Sequence, residues 1–316
     1  MKLGELYRFA VTEGIAVDPR GKEIVEQQLK QSAEEYSQMK DKEKEFFDQE
    51  RLTNPYADTR ILYGDENIEV GSILAGIDME VGEVLLADRL KEKGRRIDLV
   101  LSHHPEGTAL ARLYQVMHMQ EDLAAMLGVP INVAEGVLKE RISQVERALL
   151  PTNHQRARDA ARLLDIPLMC IHTPADNHVA SYLQQKFDEN SPRILGDVLE
   201  LLLEEPEYAQ AKSDEAGLKI VAGDKKGRAG KVFVDMTGGT GGSKDMFEKY
   251  AVAGVGTIVC MHIGENNLEE AKKAHINVVI AGHMASDSLG MNLLLDKLSG
   301  MEIIACSGFI RHSRSK

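Results

Sequence analysis

Apolar residues change their spacing about a fifth of the way along the chain. Before that point they are sparse and fall at helical intervals. Leu3, Leu6, Tyr7 and Ala10 share one helical face, and Asp18-Pro19 breaks it. Gly21 to Gln49 is strongly charged, with Ile24, Leu29 and Tyr36 among its few apolar positions, and reads as a solvated amphipathic helix. From about Ile68 short apolar runs alternate with amphipathic stretches. Runs at Ile73–Asp78, Ile97–Leu101, Pro167–His172, Lys231–Asp235, Gly256–Met261, Ile276–Ala281 and Met301–Cys306 predict strands buried on both faces. Val129–Val133 predicts a short extended piece. Between the runs, Val81–Lys93, Leu110–Leu127, Glu135–Leu164 (interrupted near Pro151), Ala180–Phe187 and Arg193–Glu204 carry helical periodicity, with Pro206 ending the last. Lys212–Gly230 is charged and glycine-rich and reads as an exposed hairpin or loop.

This alternation predicts an α/β fold of two halves, with mostly parallel strands around a central cleft, plus N-terminal helices. The expected organisation is an N-terminal helical segment over 1–66, a first α/β half over 67–190, connecting helices and loop over 191–230, and a second half over 231–316.

The formal charge of −12 argues against nonspecific binding to nucleic acid or anionic membrane, but leaves an anionic small substrate possible at a local cation cluster. Cys170, Cys260 and Cys306 are odd in number and each lies in an apolar run, which suits reduced thiols of a cytoplasmic protein. No secretory leader pattern and no window of membrane-spanning length is expected.

The chemistry sits where strands end. His103 and His104 follow a buried run and precede Pro105, which cannot donate to a ladder. Three other segments also follow apolar runs: His172-Thr-Pro-Ala-Asp176-Asn-His178, Met261-His262-Ile-Gly-Glu265, and Gly282-His283-Met-Ala-Ser-Asp287. These four segments hold six of the ten histidines, and ligands of open parallel sheets bind beyond strand carboxyl ends. His283 and Asp287, four apart, share a helix face if Gly282 opens the helix, and would chelate one cation or a pair. Such donors suit zinc, manganese, iron or cobalt. His172 reads as a supporting or core residue, and His178 as pocket-facing. Asp78 reads as the cap of the following helix or as a partner of a histidine. His262 and Glu265 are candidates for proton transfer or for a structural role. Gly238-Gly239-Thr240-Gly241-Gly242 follows a strand; it is either an anion-cradling turn assisted by Ser243 and Lys244, or simply a tight turn. No GxSxG elbow supports serine-nucleophile chemistry.

Taken in order, Ser102-His-His-Pro, His172-Thr-Pro-Ala-Asp, the glycine turn and Gly282-His-Met-Ala-Ser-Asp resemble the NGG-interacting-factor-three-like (NIF3-like) family, often labelled type-2 GTP cyclohydrolase I. The resemblance spans roughly residues 70–306. It implies a two-metal site, with His103, His104, Asp176, His283 and Asp287 as ligands, and a homo-oligomer, often a hexameric ring. The family usually carries Glu where this chain has Asp287. The function it implies is metal-dependent hydrolysis of a small anionic or nucleotide-like heterocyclic molecule. The alternative is a metal-binding regulatory or chaperone-like oligomer with no turnover.

Overall fold

The computed structural model describes residues 1–314. In chain order its strands are β1 (Arg60–Tyr63), β2 (Ser72–Gly76), β3 (Leu99–Ser102), β4 (Leu168–Cys170), β5 (Lys219–Ala222), β6 (Lys231–Asp235), β7 (Val255–Cys260), β8 (Asn277–Ile280) and β9 (Glu302–Ala305). They form two sheets, ordered β1-β4-β3-β2-β9 and β5-β8-β7-β6. Within each sheet all pairs are parallel except the edge strands β1 and β5, which run antiparallel to β4 and β8. This is an α/β fold of two halves. The last strand crosses back to the first sheet beside β2.

Alternate residues of each sheet feed different cores, because successive side chains of a strand point to opposite faces. Ile73, Ala75, Leu99 and Leu101 pack with the N-terminal helix Leu3–Ala16 on one face of the first sheet. Leu74 and Val100 pack with Val84 and Ala87 on the other. In the second sheet Phe233 and Ile258 meet the helix Ile131–Leu149, whereas Val232, Val234 and Val259 meet the helices Thr173–Asn190 and His283–Leu295. Coverage on both faces explains why these strands read as unbroken apolar runs. No helix among the described residues is long and apolar enough to cross a membrane.

Four local readings are corrected. Lys219–Ala222 is not loop but the edge strand β5, bracketed by left-handed Leu218 and Gly223. Arg60–Tyr63 adds β1, whose half-exposed side chains hide it beside the helical segment. Val129–Val133 is not extended: left-handed Gly128 ends one helix, and Pro130 precedes the helix Ile131–Leu149. Pro206 opens the helix Pro206–Ser213, since the first helical turn tolerates a missing N–H.

Candidate metal centre

The carboxyl ends of β3, β4, β7 and β8 turn toward one cleft of about 350 Å³, whose walls include His104, His172, Asp176, His262, His283 and Asp287. The backbone of His103 and His104 continues the β3 pairing: their N–H groups donate to Gly76 O and Ile77 O, both at 2.9 Å. Ser102 Oγ donates to His104 O at 2.7 Å, and Pro105 then ends the ladder. His172 and Gly282 are the N-cap positions of the helices Thr173–Asn190 and His283–Leu295, so Asp176 lies in the first turn of one and Asp287 at the start of the second turn of the other. Gly282 can open its helix because φ there is +115°, which favours glycine.

Three imidazoles are held by Nδ1 and present Nε2 inward. His103 Nδ1–H donates to Ile171 O at 3.1 Å, His104 Nδ1–H to Asp78 Oδ1 at 2.7 Å, and His172 Nδ1–H to Asp58 Oδ2 at 2.8 Å. A hydrogen bond at one ring nitrogen fixes the tautomer and raises the basicity of the other, the arrangement found behind metal-ligating histidines. Asp58 is fully buried and also accepts from Thr173 Oγ1 at 2.6 Å. Burial alone would raise its pKa; the bonds from His172 and Thr173 outweigh that and hold it below the usual range.

Asp287 is the shared neighbour. Its Oδ1 lies 3.5 Å from His103 Nε2, and its Oδ2 lies 3.4 Å from His104 Nε2 and 3.6 Å from His283 Nε2. Asp176 Oδ1 is 3.4 Å from His103 Nε2, and its Oδ2 is 3.7 Å from His172 Nε2. These separations are too long for good hydrogen bonds. His103 Nε2, Asp176 Oδ1 and both Asp287 oxygens are buried without a hydrogen-bond partner. Orphaned buried polar atoms are costly. Their convergence fits a cation: ligand atoms of His103, Asp176 and Asp287, of His104, His283 and Asp287, and of His103, His104 and His172 lie within 4.8 Å of one another.

The electrostatics agree. Burial would depress the His103 pKa, but the facing Asp287 and Asp176 carboxylates override it and raise it to about 10. Burial would raise Asp287; His103 and His104 hold it far below the carboxylate range instead. His172 is raised against its burial by Asp176 and Asp58. His283 is lowered, chiefly by burial.

All five residues expected as ligands therefore come together, and His172 joins them. His172 shows the same four-residue spacing to Asp176 that His283 shows to Asp287, a signal present in the sequence. Asp58 carried none, being remote from every motif. Asp78 is not a cap; Glu80 precedes the helix Val81–Glu92, and Asp78 holds His104. His178 does not face the cleft: its Nδ1–H bonds Pro174 O at 2.8 Å inside its own helix. The His262 ring stands 4.9 Å from that of His283 on the cleft wall. Glu265 begins the exposed helix Glu265–Lys273 and does not line the cleft. In the glycine turn, Gly238 and Gly239 take φ of +93° and +86°, and Gly239 and Gly241 line the cleft. Gln120 Nε2 donates to Gly238 O and Thr240 O at 2.7 Å, and a Cβ on Gly242 would meet Gln120 Oε1 at 2.5 Å. Exposed Lys244 and buried Ser243 are not part of the lining.

No family model and no curated protein matches the chain. Its structure is similar to that of a NIF3 superfamily protein from Sphaerobacter thermophilus, with a TM-score of 0.69, 26% identity, and coverage of 80% of this chain and 91% of that one. Reduced HcgD from Methanocaldococcus jannaschii aligns with a TM-score of 0.48 and 14% identity over 78% of this chain and 87% of that one. A Bacillus cereus protein related to NIF3 aligns at 0.43 and 12%, over 81% and 92% respectively.

Proposed function

This chain is a NIF3-like protein, and on that premise we propose that it holds two divalent cations and hydrolyses a small anionic or nucleotide-like heterocyclic substrate. The observation that carries the reading is the set of orphaned, buried atoms around Asp287: its own two oxygens, Asp176 Oδ1 and His103 Nε2. Two donor groups share this residue, His103 with Asp176 on one side and His104 with His283 on the other, which suits one carboxylate between two ions. Zinc, manganese, iron and cobalt all accept such N/O donors. A bound pair supplies Lewis-acid charge, lowers the pKa of water and stabilises negative charge developing at an electrophile.

The chain's own residues do the rest. Asp58 and Asp78 hold the His172 and His104 rings by Nδ1, so Nε2 of each is aimed inward. Asp176 and Asp287 offset cationic charge. His262, beside His283 on the cleft wall, takes a proton from the attacking water and passes it to the leaving group; Glu265 lies outside the cleft lining and has no part in it. The turn Gly238–Gly242 offers backbone N–H groups alone as an anion cradle. The homo-oligomeric ring belongs to the same proposal and is read by sedimentation velocity.

The test is elemental analysis of protein purified without chelator, followed by a substrate panel with added Mn²⁺, Zn²⁺ or Co²⁺. Two metals per chain, reduced in His103→Ala, with metal-dependent hydrolysis of one class, is the expected result. Full loading with no hydrolysis of any class would replace this reading with that of a non-catalytic metal-binding oligomer.

A further inference from the structure

The walls of the cleft carry five carboxyl groups, from Asp78, Glu106, Asp176, Asp235 and Asp287, and, among the described residues, no lysine or arginine. Asp176 and Asp287 face the histidines, and Asp78 holds His104. Asp235 does neither. It ends β6, opposite Cys260 of β7, and its side chain makes no hydrogen bond or ion pair with any described residue. It is half-buried with its carboxyl on the cleft wall, and this partial burial pushes the carboxyl up to about 6. A carboxyl kept unpaired on the wall of a cleft is costly unless an incoming group pairs with it. Leu110, Leu113, Met236 and Met261 supply apolar surface on the same walls.

This distribution gives the cleft an axis. The His/Asp cluster draws on residues that follow β3, β4 and β8, whereas Asp235 ends the edge strand β6, separated from β8 by β7, so a cluster that holds cations and an unpaired carboxylate would stand at different places on the wall. An anionic group at the Asp235 end would meet a carboxylate with no compensating side-chain cation. A flat group with two parallel N–H donors would instead match the two carboxylate oxygens, and its ring would lie against the apolar walls.

We propose that the Asp235 end of the cleft is a subsite for an amidine- or guanidine-type group, an N–H-donating edge or small planar cation, carried by the substrate whose reacting end faces the histidines. The proposal rests on the reading of the cleft as a substrate site and names the chemistry of one end of that substrate.

Benzamidine is the probe, with isosteric neutral benzamide and inorganic phosphate as comparisons, measured by calorimetry on metal-loaded protein. Benzamidine should bind wild type at least tenfold more tightly than benzamide does. Asp235→Asn should weaken benzamidine tenfold or more while leaving metal content and phosphate binding unchanged, and Asp235→Glu should restore part of the loss. In the unmutated protein, nuclear Overhauser contacts from the benzamidine ring to the Met236 and Met261 methyl groups locate the probe without any variant. Benzamidine binding that is absent, indifferent to Asp235→Asn, matched by benzamide, or without contacts to those methyls overturns the subsite. Silent hydrolysis assays alongside Asp235-dependent benzamidine binding would remove the catalytic reading alone.

Discussion

Asp287 gathers donors from both halves because its two oxygens face different histidines, and the residues behind those histidines decide how firmly they are aimed. Asp58 is the clearest case. Asp58→Asn keeps the shape but removes the charge that holds His172 Nδ1–H. Loss of such a partner weakens metal affinity by roughly 10–100-fold. We expect a drop of that order in a competition assay with a chromophoric chelator, without loss of folded protein; unchanged affinity would remove Asp58 from the machinery. Asp235 makes the opposite prediction, a gain in stability. Its carboxyl titrates near 6 when folded against an ordinary 3.8. Between those values the unfolded chain has released the proton and the folded chain has not, so stability falls as pH rises through this window. Above it the cost is constant, on the order of 1–3 kcal/mol for two units at most. Asp235→Asn should therefore be more stable than wild type in urea at pH 7.5, and this gain should vanish near pH 4. A gain of equal size at both pH values would mean that ionisation is not its cause. At this scale the sequence was legible where rare donors recur at strand ends, as with His103, His104, His283 and Asp287. It was silent on Asp58, which reaches His172 across 114 residues, and on Asp235, where the glycine turn three residues on marks a turn and not an unpaired carboxyl.

The helices Thr173–Asn190 and His283–Leu295 bring Asp176 and Asp287 together, and they do so by close backbone approach. A Cβ on Gly290 would stand 2.3 Å from Ala175 O, a backbone atom that cannot swing aside. Gly290→Ala gains about 1 kcal/mol of helix propensity. Overpacking against a rigid neighbour costs about 1–3 kcal/mol, and a contact this short places the cost at the upper end, so the loss wins. Gly136 sits in the helix Ile131–Leu149 with nothing within 4 Å of an added Cβ, so Gly136→Ala should keep its full gain. Thermal unfolding of the pair should move in opposite directions, and only Gly290→Ala should also lower metal content. Equal shifts of the two would show that the helices do not need their close approach. The same scale explains what could be read of the elements. Buried parallel strands announce themselves as apolar runs. The edge strands β1 and β5 are half exposed, and β5 lies among charges and glycines, so their patterns resemble loop.

The two sheets repeat one plan. β1-β4-β3-β2 and β5-β8-β7-β6 have the same order and the same antiparallel edge, and His172/Asp176 after β4 stand where His283/Asp287 stand after β8. The register carries this further, aligning His104 beyond β3 with His262 beyond β7. No short sequence period shows the repeat, because backbone pairing is duplicated and most side chains are not: Asp78, which holds His104, corresponds to Thr237, which donates to Asn177 Oδ1 at 2.7 Å instead. A metal held by His103, His104, His172 and Asp176 from one half and His283 and Asp287 from the other would cross-link them. Without a cation, His103 Nε2, Asp176 Oδ1 and both Asp287 oxygens have no hydrogen-bond partner among the described residues at the junction. A metal present at about 100 times its dissociation constant adds roughly 2.7 kcal/mol to stability, which for a chain of this length is on the order of 5 °C in Tm. Dipicolinate should lower Tm by that order and restore it on adding back metal, with hydrogen exchange rising first at the carboxyl ends of β3, β4 and β8. His103→Ala, already short of metal, should respond far less. A metal-containing wild type whose Tm and exchange ignore the chelator would mean that the halves are joined by the packing of their two helices alone.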